Sequence, residues 1–243
     1  MRIYGDPYEL MSEVLRDLDE MAIIVKPKSM QNKKIEGNPD FYTKEIQNYV
    51  YSLVDMGYPD PLFVFEDSKE WAEAEFRERF SAVYRNPGEA WKIRPDMWEQ
   101  FLVDGKFDYA YNARINHQYN FDLIKNELKA NPDSRQCWMP IFFPEDVQFL
   151  GGKRRIPCSL GYYFMVRENK VNMTYVQRSA DAVAHFGNDV WLAWQAMDFM
   201  ARGLELETGI LTHHIFSLHS YRKDWDALNR GIVGLTKKPH ETK

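Results

Sequence analysis

Residues 137 to 221 carry the pattern that most restricts the fold. Three runs rich in aromatic and β-branched residues, WMPIFF, LGYYFMV and VNMTYVQ, precede one long, mostly apolar helical stretch, Asp189 to Leu206, and another such run, ILTHHIFSLHSY, follows it. The runs read as strands. A helix that is apolar nearly all round is a buried element and needs cover on every side, which the neighbouring strands can supply. Glu168-Asn169-Lys170 is a polar break that makes LGYYFMV and VNMTYVQ a hairpin, and Gly209 reads as the stop at the far end of the helix.

Upstream, Leu10, Met11, Val14, Leu15, Leu18 and Met21 recur at helical spacing behind Asp6 and Pro7, which predicts an amphipathic helix over Tyr8 to Met21. Residues 24 to 67 read as loops around short strands, with a helix near Tyr42 to Leu53. Further helices are expected over Glu70 to Tyr84, stopped by Asn86-Pro87-Gly88, and over Phe121 to Ala130, ended by Asn131-Pro132. No repeat, low-complexity tract or linker interrupts the chain, so residues 1–243 read as a single α+β domain. At 243 residues and 44% hydrophobic, it can bury a sizeable core.

The net charge of −5 argues against a surface built mainly for nucleic acid. Two basic clusters, KPKSMQNKK (Lys26 to Lys34) and GGKRR (Gly151 to Arg155), read as solvated loops or as contacts for a phosphate-bearing small molecule. Cys137 and Cys158 suggest neither a disulfide framework nor a metal site, which fits a reducing cytoplasm. No apolar run approaches the roughly 20 residues of a membrane helix, and the N-terminus lacks a signal-peptide pattern. A cytoplasmic protein without metal or membrane attachment is expected.

Cys158 stands where a loop carrying Lys153, Arg154 and Arg155 feeds a strand. A lone cysteine is more often a small buried hydrophobe than a nucleophile, but nearby positive charge favours the thiolate. Arg178 and Ser179 could hold a phosphate through a fork of donors and a hydroxyl, or make a surface ion pair. His219 and Tyr221, two apart, point to one face of a strand, an arrangement that is commonly structural.

Taken together, PCSLGYYFMV, YVQRSADAVAHFGNDV and HHIFSLHSY, in this order and with NPDSR before them, resemble the thymidylate synthase family, some bacteriophage members of which hydroxymethylate cytidylate. The resemblance is strong from Asn131 to Trp225 and loose from Glu70 to Tyr119. It implies a mixed sheet packed with helices and a homodimer formed through the sheet. Cys158 matches the nucleophile that adds to C6 of a pyrimidine and activates C5, a step that needs a thiolate. The co-substrate implied is 5,10-methylenetetrahydrofolate, whose one-carbon unit ends as a methyl group after hydride transfer or as a hydroxymethyl group after water addition. Arg178 and Ser179 match phosphate ligands, and Arg135 matches an arginine donated across the dimer interface. Asp181 matches an aspartate near the folate and the cysteine, and His219 and Tyr221 match the residues that hold the sugar hydroxyl. Glu75 is the candidate for the proton-transfer glutamate, with Glu73 and Glu78 as competitors and a solvated acidic helix face as the structural alternative. Tyr111 resembles a tyrosine near the reacting carbon.

Asp189 decides the substrate. Eleven residues after the phosphate arginine, the family's thymidylate synthases carry an asparagine that accepts from uracil N3–H and donates to O4; here that place holds Asp189, with Asn188 one position earlier. Cytosine presents the opposite pattern, an acceptor at N3 and an amino donor at position 4. A neutral acid can donate to N3 and accept from the amino group, and a carboxylate can serve an N3-protonated ring. The alternative is that Asp189 caps the helix and Asn188 reads uracil. Other departures are Ser159 for a histidine, Tyr163 for a glutamine and Gln136 for a second arginine, whose phosphate contact Lys26, Lys28 or the Gly151 to Arg155 loop could replace. The C-terminal GLTKKPHETK lacks the family's apolar closing tail, which favours water entry.

The resulting expectation is a homodimeric, folate-dependent cytidylate 5-hydroxymethyltransferase, acting on dCMP, in a host cytoplasm if phage-encoded. A dCMP methyltransferase, a dUMP-using thymidylate synthase and a non-catalytic nucleotide- or RNA-binding relative are the alternatives.

Overall fold

The computed structural model describes residues 2–65, 68–117 and 120–236. Ten strands alternate with seven helices: β1 (Arg2–Tyr4), α1 (Pro7–Glu20), β2 (Ile23–Val25), β3 (Ser29–Met30), β4 (Lys33–Lys34), β5 (Thr43–Leu53), α2 (Lys69–Arg79), α3 (Pro95–Trp98), α4 (Tyr111–Ile115), α5 (Asn120–Ala130), β6 (Trp138–Pro140), β7 (Ser159–Arg167), β8 (Lys170–Gln177), β9 (Ala180–Asp181), α6 (Phe186–Gly203), β10 (Glu207–Tyr221) and α7 (Trp225–Thr236). Eight strands form one mixed sheet, ordered β1-β5-β10-β8-β7-β6, with β2 beside β5 and β9 beside β10. β10 runs antiparallel to β5 and parallel to β8, which sets its middle residues, Leu211 to Ile215, between both partners. This is the expected α+β architecture with a mixed sheet.

Helix α1 starts on an N-cap at Asp6, whose side chain accepts from the Glu9 amide, with Pro7 at the first helical position. Its apolar stripe, Leu10, Met11, Val14, Leu15 and Leu18, is fully buried. The β7–β8 hairpin turns at Glu168 and Asn169, both at positive φ, 51° and 61°, the backbone of a tight hairpin turn. Helix α6 lies on the inner face of the sheet, with Val190, Ala193, Met197 and Met200 at no exposure. The opposite face leaves Ile210 and Phe216 of β10 exposed.

Four local readings need correction. Tyr42 to Leu53 is a strand, not a helix: Ile46, Tyr49, Val50 and Leu53 satisfy helical spacing, but pairing with β10 along ten registered positions and burial of Tyr49, Tyr51 and Leu53 on alternate positions decide for β5. Helix α2 ends at Arg79, five residues before Tyr84, because Asn112 Nδ2 takes the Glu78 and Ser81 carbonyls, both at 2.7 Å. Helix α6 begins at Phe186 and ends at Gly203, so Asp189 sits inside the first turn and is no cap. Gly209 therefore lies in β10, where Asn172 Oδ1 approaches it, and stops nothing. The C-terminal GLTKKPHETK, read as lacking a closing tail, lies mostly in residues 237–243, outside the described residues.

Candidate active site

A cavity of about 390 Å³ opens beside the ends of β7, β8, β9 and β10, and Cys158, Arg178, Ser179, Asp181, Asp189, His219 and Tyr221 all line it. The volume lies within the range of small-molecule sites. Cys158 sits immediately before β7, and its sulfur receives three donors: Gln31 Nε2 at 3.5 Å, Arg178 Nη2 at 3.5 Å and Ser179 Oγ at 3.8 Å. Arg178 is braced by the loop it faces, through Nε to the Pro157 carbonyl at 2.9 Å and Nη2 to the Ile156 carbonyl at 3.2 Å. Such bracing fixes a guanidinium fork without neutralising its charge.

Asp181 Oδ1 accepts from the Val183 and Ala184 amides, each at 3.1 Å, which holds the turn leading into α6. His219 and Tyr221 stand side by side from the end of β10, ring centroids 5.2 Å apart and nearly perpendicular. Their positions follow from the two-residue period of a strand, since alternate side chains share a face.

Asp189 enters the cavity from α6 and accepts a hydrogen bond from Gln177 Nε2 at 2.9 Å. Burial raises its carboxyl to about 6, outweighing the opposing Gln177 bond and the charges of Arg79 and Arg94. Asn188 is elsewhere. It is 0% exposed, donates to the Ser68 carbonyl at 3.0 Å and accepts from Arg94 Nη1 at 3.0 Å, and it does not line the cavity. The helical turn of about 100° between consecutive residues separates the two side chains: the one that faces the cavity is Asp189.

Of the three acidic residues of α2 considered, Glu75 alone lines an aromatic recess of about 50 Å³ that adjoins the main cavity and shares Trp71, Trp98, Tyr111 and Arg155 with it. Its Oε1 pairs with Arg79 Nε at 2.8 Å, and the Arg79 guanidinium lies 4.0 Å over the Tyr111 ring. Glu78 instead accepts from the Glu89 and Ala90 amides at 2.6 and 2.9 Å, a structural cap. Tyr111 accepts a long bond of 3.4 Å from Ser159 Oγ, and Ser159 is itself bonded to Tyr175 at 2.5 Å, so it faces the core rather than the cavity. Burial pushes the Tyr111 phenol upward.

Arg135 is exposed and lies outside this chain's own cavity, with its carbonyl held by the Tyr163 hydroxyl at 2.8 Å. Of the basic side chains in the two clusters, Arg155 alone lines the cavity, stacked 3.9 Å over Phe101; Lys26 lies over Tyr42, Lys28 pairs with Glu36, and neither lines it. Sequence reasoning missed Gln31, Arg79 and Lys223. Arg79 was within reach, being four residues after Glu75 on one helix, and Lys223 lies two beyond Tyr221 and lines the cavity. Gln31 had no local signal; the β3–β4 hairpin brings it in across 127 residues of sequence.

The indole N–H groups of Trp71, Trp91 and Trp98 and the Arg155 Nε–H are buried without a hydrogen-bond partner, an arrangement that suits a ligand bringing acceptors. Among the described residues no cluster of His, Cys, Asp and Glu is placed to hold a metal ion, and no helix is long and apolar enough to cross a membrane.

The architecture around this cavity is the thymidylate synthase fold: thymidylate synthase A of Bacillus subtilis superimposes with a TM-score of 0.76 at 16% identity, covering 94% of this chain and 84% of that one. The chain belongs to the thymidylate synthase family, whose profile matches residues 70–242. Similar proteins include one provisionally named thymidylate synthase from Methanosarcina mazei, 26% identical over 159 residues, 60% of this chain and 70% of the other. The deoxycytidylate 5-hydroxymethyltransferase of Enterobacteria phage T2 is 26% identical over 175 residues, 63% of this chain and 68% of the phage protein. The family is one of nucleotide- and folate-binding one-carbon transferases that use methylenetetrahydrofolate.

Proposed function

We propose that this chain hydroxymethylates C5 of a cytidine monophosphate, dCMP in the first instance. The observation that carries the reading is that Asp189 faces the cavity it shares with Cys158, while Asn188 is bonded to Ser68 and Arg94 outside it. The Asp189 oxygen that accepts from Gln177 can also accept from the 4-amino group of cytosine, whereas the O4 of uracil would meet an acceptor there. The phage T2 relative, named for the same reaction, supports the reading.

In this reading Cys158 adds to C6 of the ring and makes C5 nucleophilic, with Arg178, Gln31 and Ser179 supplying the N–H and O–H donors that a sulfur anion needs. Arg178 and Ser179 also hold the phosphate, joined by Lys223, while His219 and Tyr221 hold the sugar hydroxyl. Glu75, set by Arg79, orders water and moves protons in the recess that adjoins the cavity. Methylenetetrahydrofolate would supply the one-carbon unit, its flat ring lying in the cavity between Asp181 and the aromatic recess that Glu75 lines. Water, not hydride, completes the product. A second copy of the chain covers the open sheet face around Ile210 and Phe216 and brings its own Arg135 to the phosphate.

The test is to incubate the protein with dCMP, CMP or dUMP and methylenetetrahydrofolate, weigh the nucleotide formed and assay dihydrofolate. A hydroxymethylated cytidylate without dihydrofolate supports the reading. A methylated product with dihydrofolate replaces it with methyl transfer, and no turnover of any nucleotide favours a binding protein.

A further inference from the structure

Behind Asp189, away from the cavity, a row of buried polar groups runs from the sheet to the carboxyl group. Tyr51 of β5 and His213 of β10 are register partners and are both 0% exposed. The Tyr51 hydroxyl lies 2.9 Å from His213 Nδ1, His213 Nε2 lies 2.9 Å from Gln177 Oε1, and Gln177 Nε2 lies 2.9 Å from Asp189 Oδ2. None of Tyr51, His213 and Gln177 lines the cavity. Three consecutive buried polar side chains in a core that apolar residues could fill call for a purpose.

The row has a direction. Burial holds His213 neutral, its imidazole down to about 3, so the ring has one donor and one acceptor nitrogen. An amide oxygen only accepts. With Gln177 Oε1 before it, His213 Nε2 carries the hydrogen, Nδ1 accepts from the Tyr51 hydroxyl, and the Gln177 amino group donates to Asp189. Reversing the row would turn the Gln177 oxygen toward Asp189, move the ring hydrogen to Nδ1 and leave the buried Tyr51 O–H without an acceptor, which is unfavourable.

We infer that Tyr51 and His213, acting through Gln177, are positioning residues that fix the polarity of Asp189 and thereby its choice of base. Accepting from Gln177 favours Oδ2 as the bare oxygen, so that a neutral carboxyl group carries its proton on Oδ1 and Oδ2 accepts in both protonation states. A ring with a donor at position 4 fits against it; a ring with a carbonyl there does not. The inference rests on the reading that Asp189 reads cytosine, and it assigns that specificity in part to two residues that touch no ligand.

The test measures dissociation constants of dCMP and dUMP by calorimetry for the wild type and for His213→Phe, which keeps the ring that stacks on Tyr175 and Phe186. The expected result is a loss of at least about tenfold in the dCMP-over-dUMP preference, and no such loss when the same substitution is made on Asp189→Ala, where there is no carboxyl group to orient. An unchanged preference, or an equal loss on Asp189→Ala, overturns the inference. Tyr51→Phe removes a single hydroxyl and repeats the test should His213→Phe not fold; its expected result is a smaller loss in the same direction, and an unchanged preference counts against the inference. A wild type that binds dUMP as tightly as dCMP instead refutes the reading of Asp189 itself.

Discussion

Replacing Asp189 by asparagine changes one atom and alters both recognition and stability. In the wild type both carboxylate oxygens accept, and Gln177 commits Oδ2 to that role at 2.9 Å. The D189N side chain can turn its amino group to the O4 of uracil and its oxygen to N3–H, relieving a mismatch that costs about 1–3 kcal/mol for each buried polar group left unmatched. At about 1.4 kcal/mol per tenfold, the ratio of kcat/KM for dCMP over dUMP falls by roughly 10- to 100-fold. Turning the amide also requires the Tyr51–His213–Gln177 row to reverse, so the variant becomes permissive rather than specific for uracil. The stability change is separate. The folded carboxyl sits at about 6 against an ordinary 3.8, so between those values the folded state binds more protons than the unfolded state and wild-type stability falls as pH rises. Two pH units at about 1.4 kcal/mol each set an upper limit of about 3 kcal/mol, reduced because Asp189 reaches water through the cavity. D189N removes this loss: its melting temperature equals the wild type's near pH 4 and exceeds it above pH 6. A difference that does not grow across that window, or a dCMP preference that survives intact, refutes the argument.

Other substitutions separate the roles of neighbouring residues. Cys158→Ser abolishes turnover but keeps dCMP affinity within a few-fold by calorimetry; full turnover would remove the nucleophile from the mechanism. Glu75→Gln lowers kcat by about 100-fold or more with little change in dCMP binding, whereas Glu78→Gln leaves kcat intact and lowers the melting temperature, because its carboxylate caps the Glu89 and Ala90 amides. Asn188→Ala costs about 2 kcal/mol by denaturant titration through loss of the two hydrogen bonds of a buried amide, and it leaves the dCMP-over-dUMP ratio unchanged. A shifted ratio would bring Asn188 back as the base reader.

Helix α1, the β7–β8 hairpin and the buried α6 were legible because local signals agreed with the tertiary outcome: a cap and apolar stripe, a turn between alternating runs, and an apolar stretch too long for a strand. β5 was not, because Ile46, Tyr49, Val50 and Leu53 fit the helical period while Tyr49, Tyr51 and Leu53 fit the strand period, and only the distant β10 could choose between them. The cluster of Cys158, Arg178, Ser179, Asp181, His219 and Tyr221 was readable as a set because each stands on or beside a strand end whose run is recognisable. Choosing between Asp189 and Asn188 required the true start of α6, since three residues of helix phase decide which side chain meets the cavity. Gln31, His213 and Tyr51 act across long separations, and no window of sequence contains their partners.

The central claim is that this cavity selects cytosine over uracil and adds water at the final step. Equimolar dCMP and dUMP, supplied together with limiting methylenetetrahydrofolate, test it in one vessel. The account predicts that dCMP is consumed first, that its product carries a hydroxymethyl group and that no dihydrofolate forms. Preferential consumption of dUMP, with thymidylate and dihydrofolate appearing in step, would contradict it.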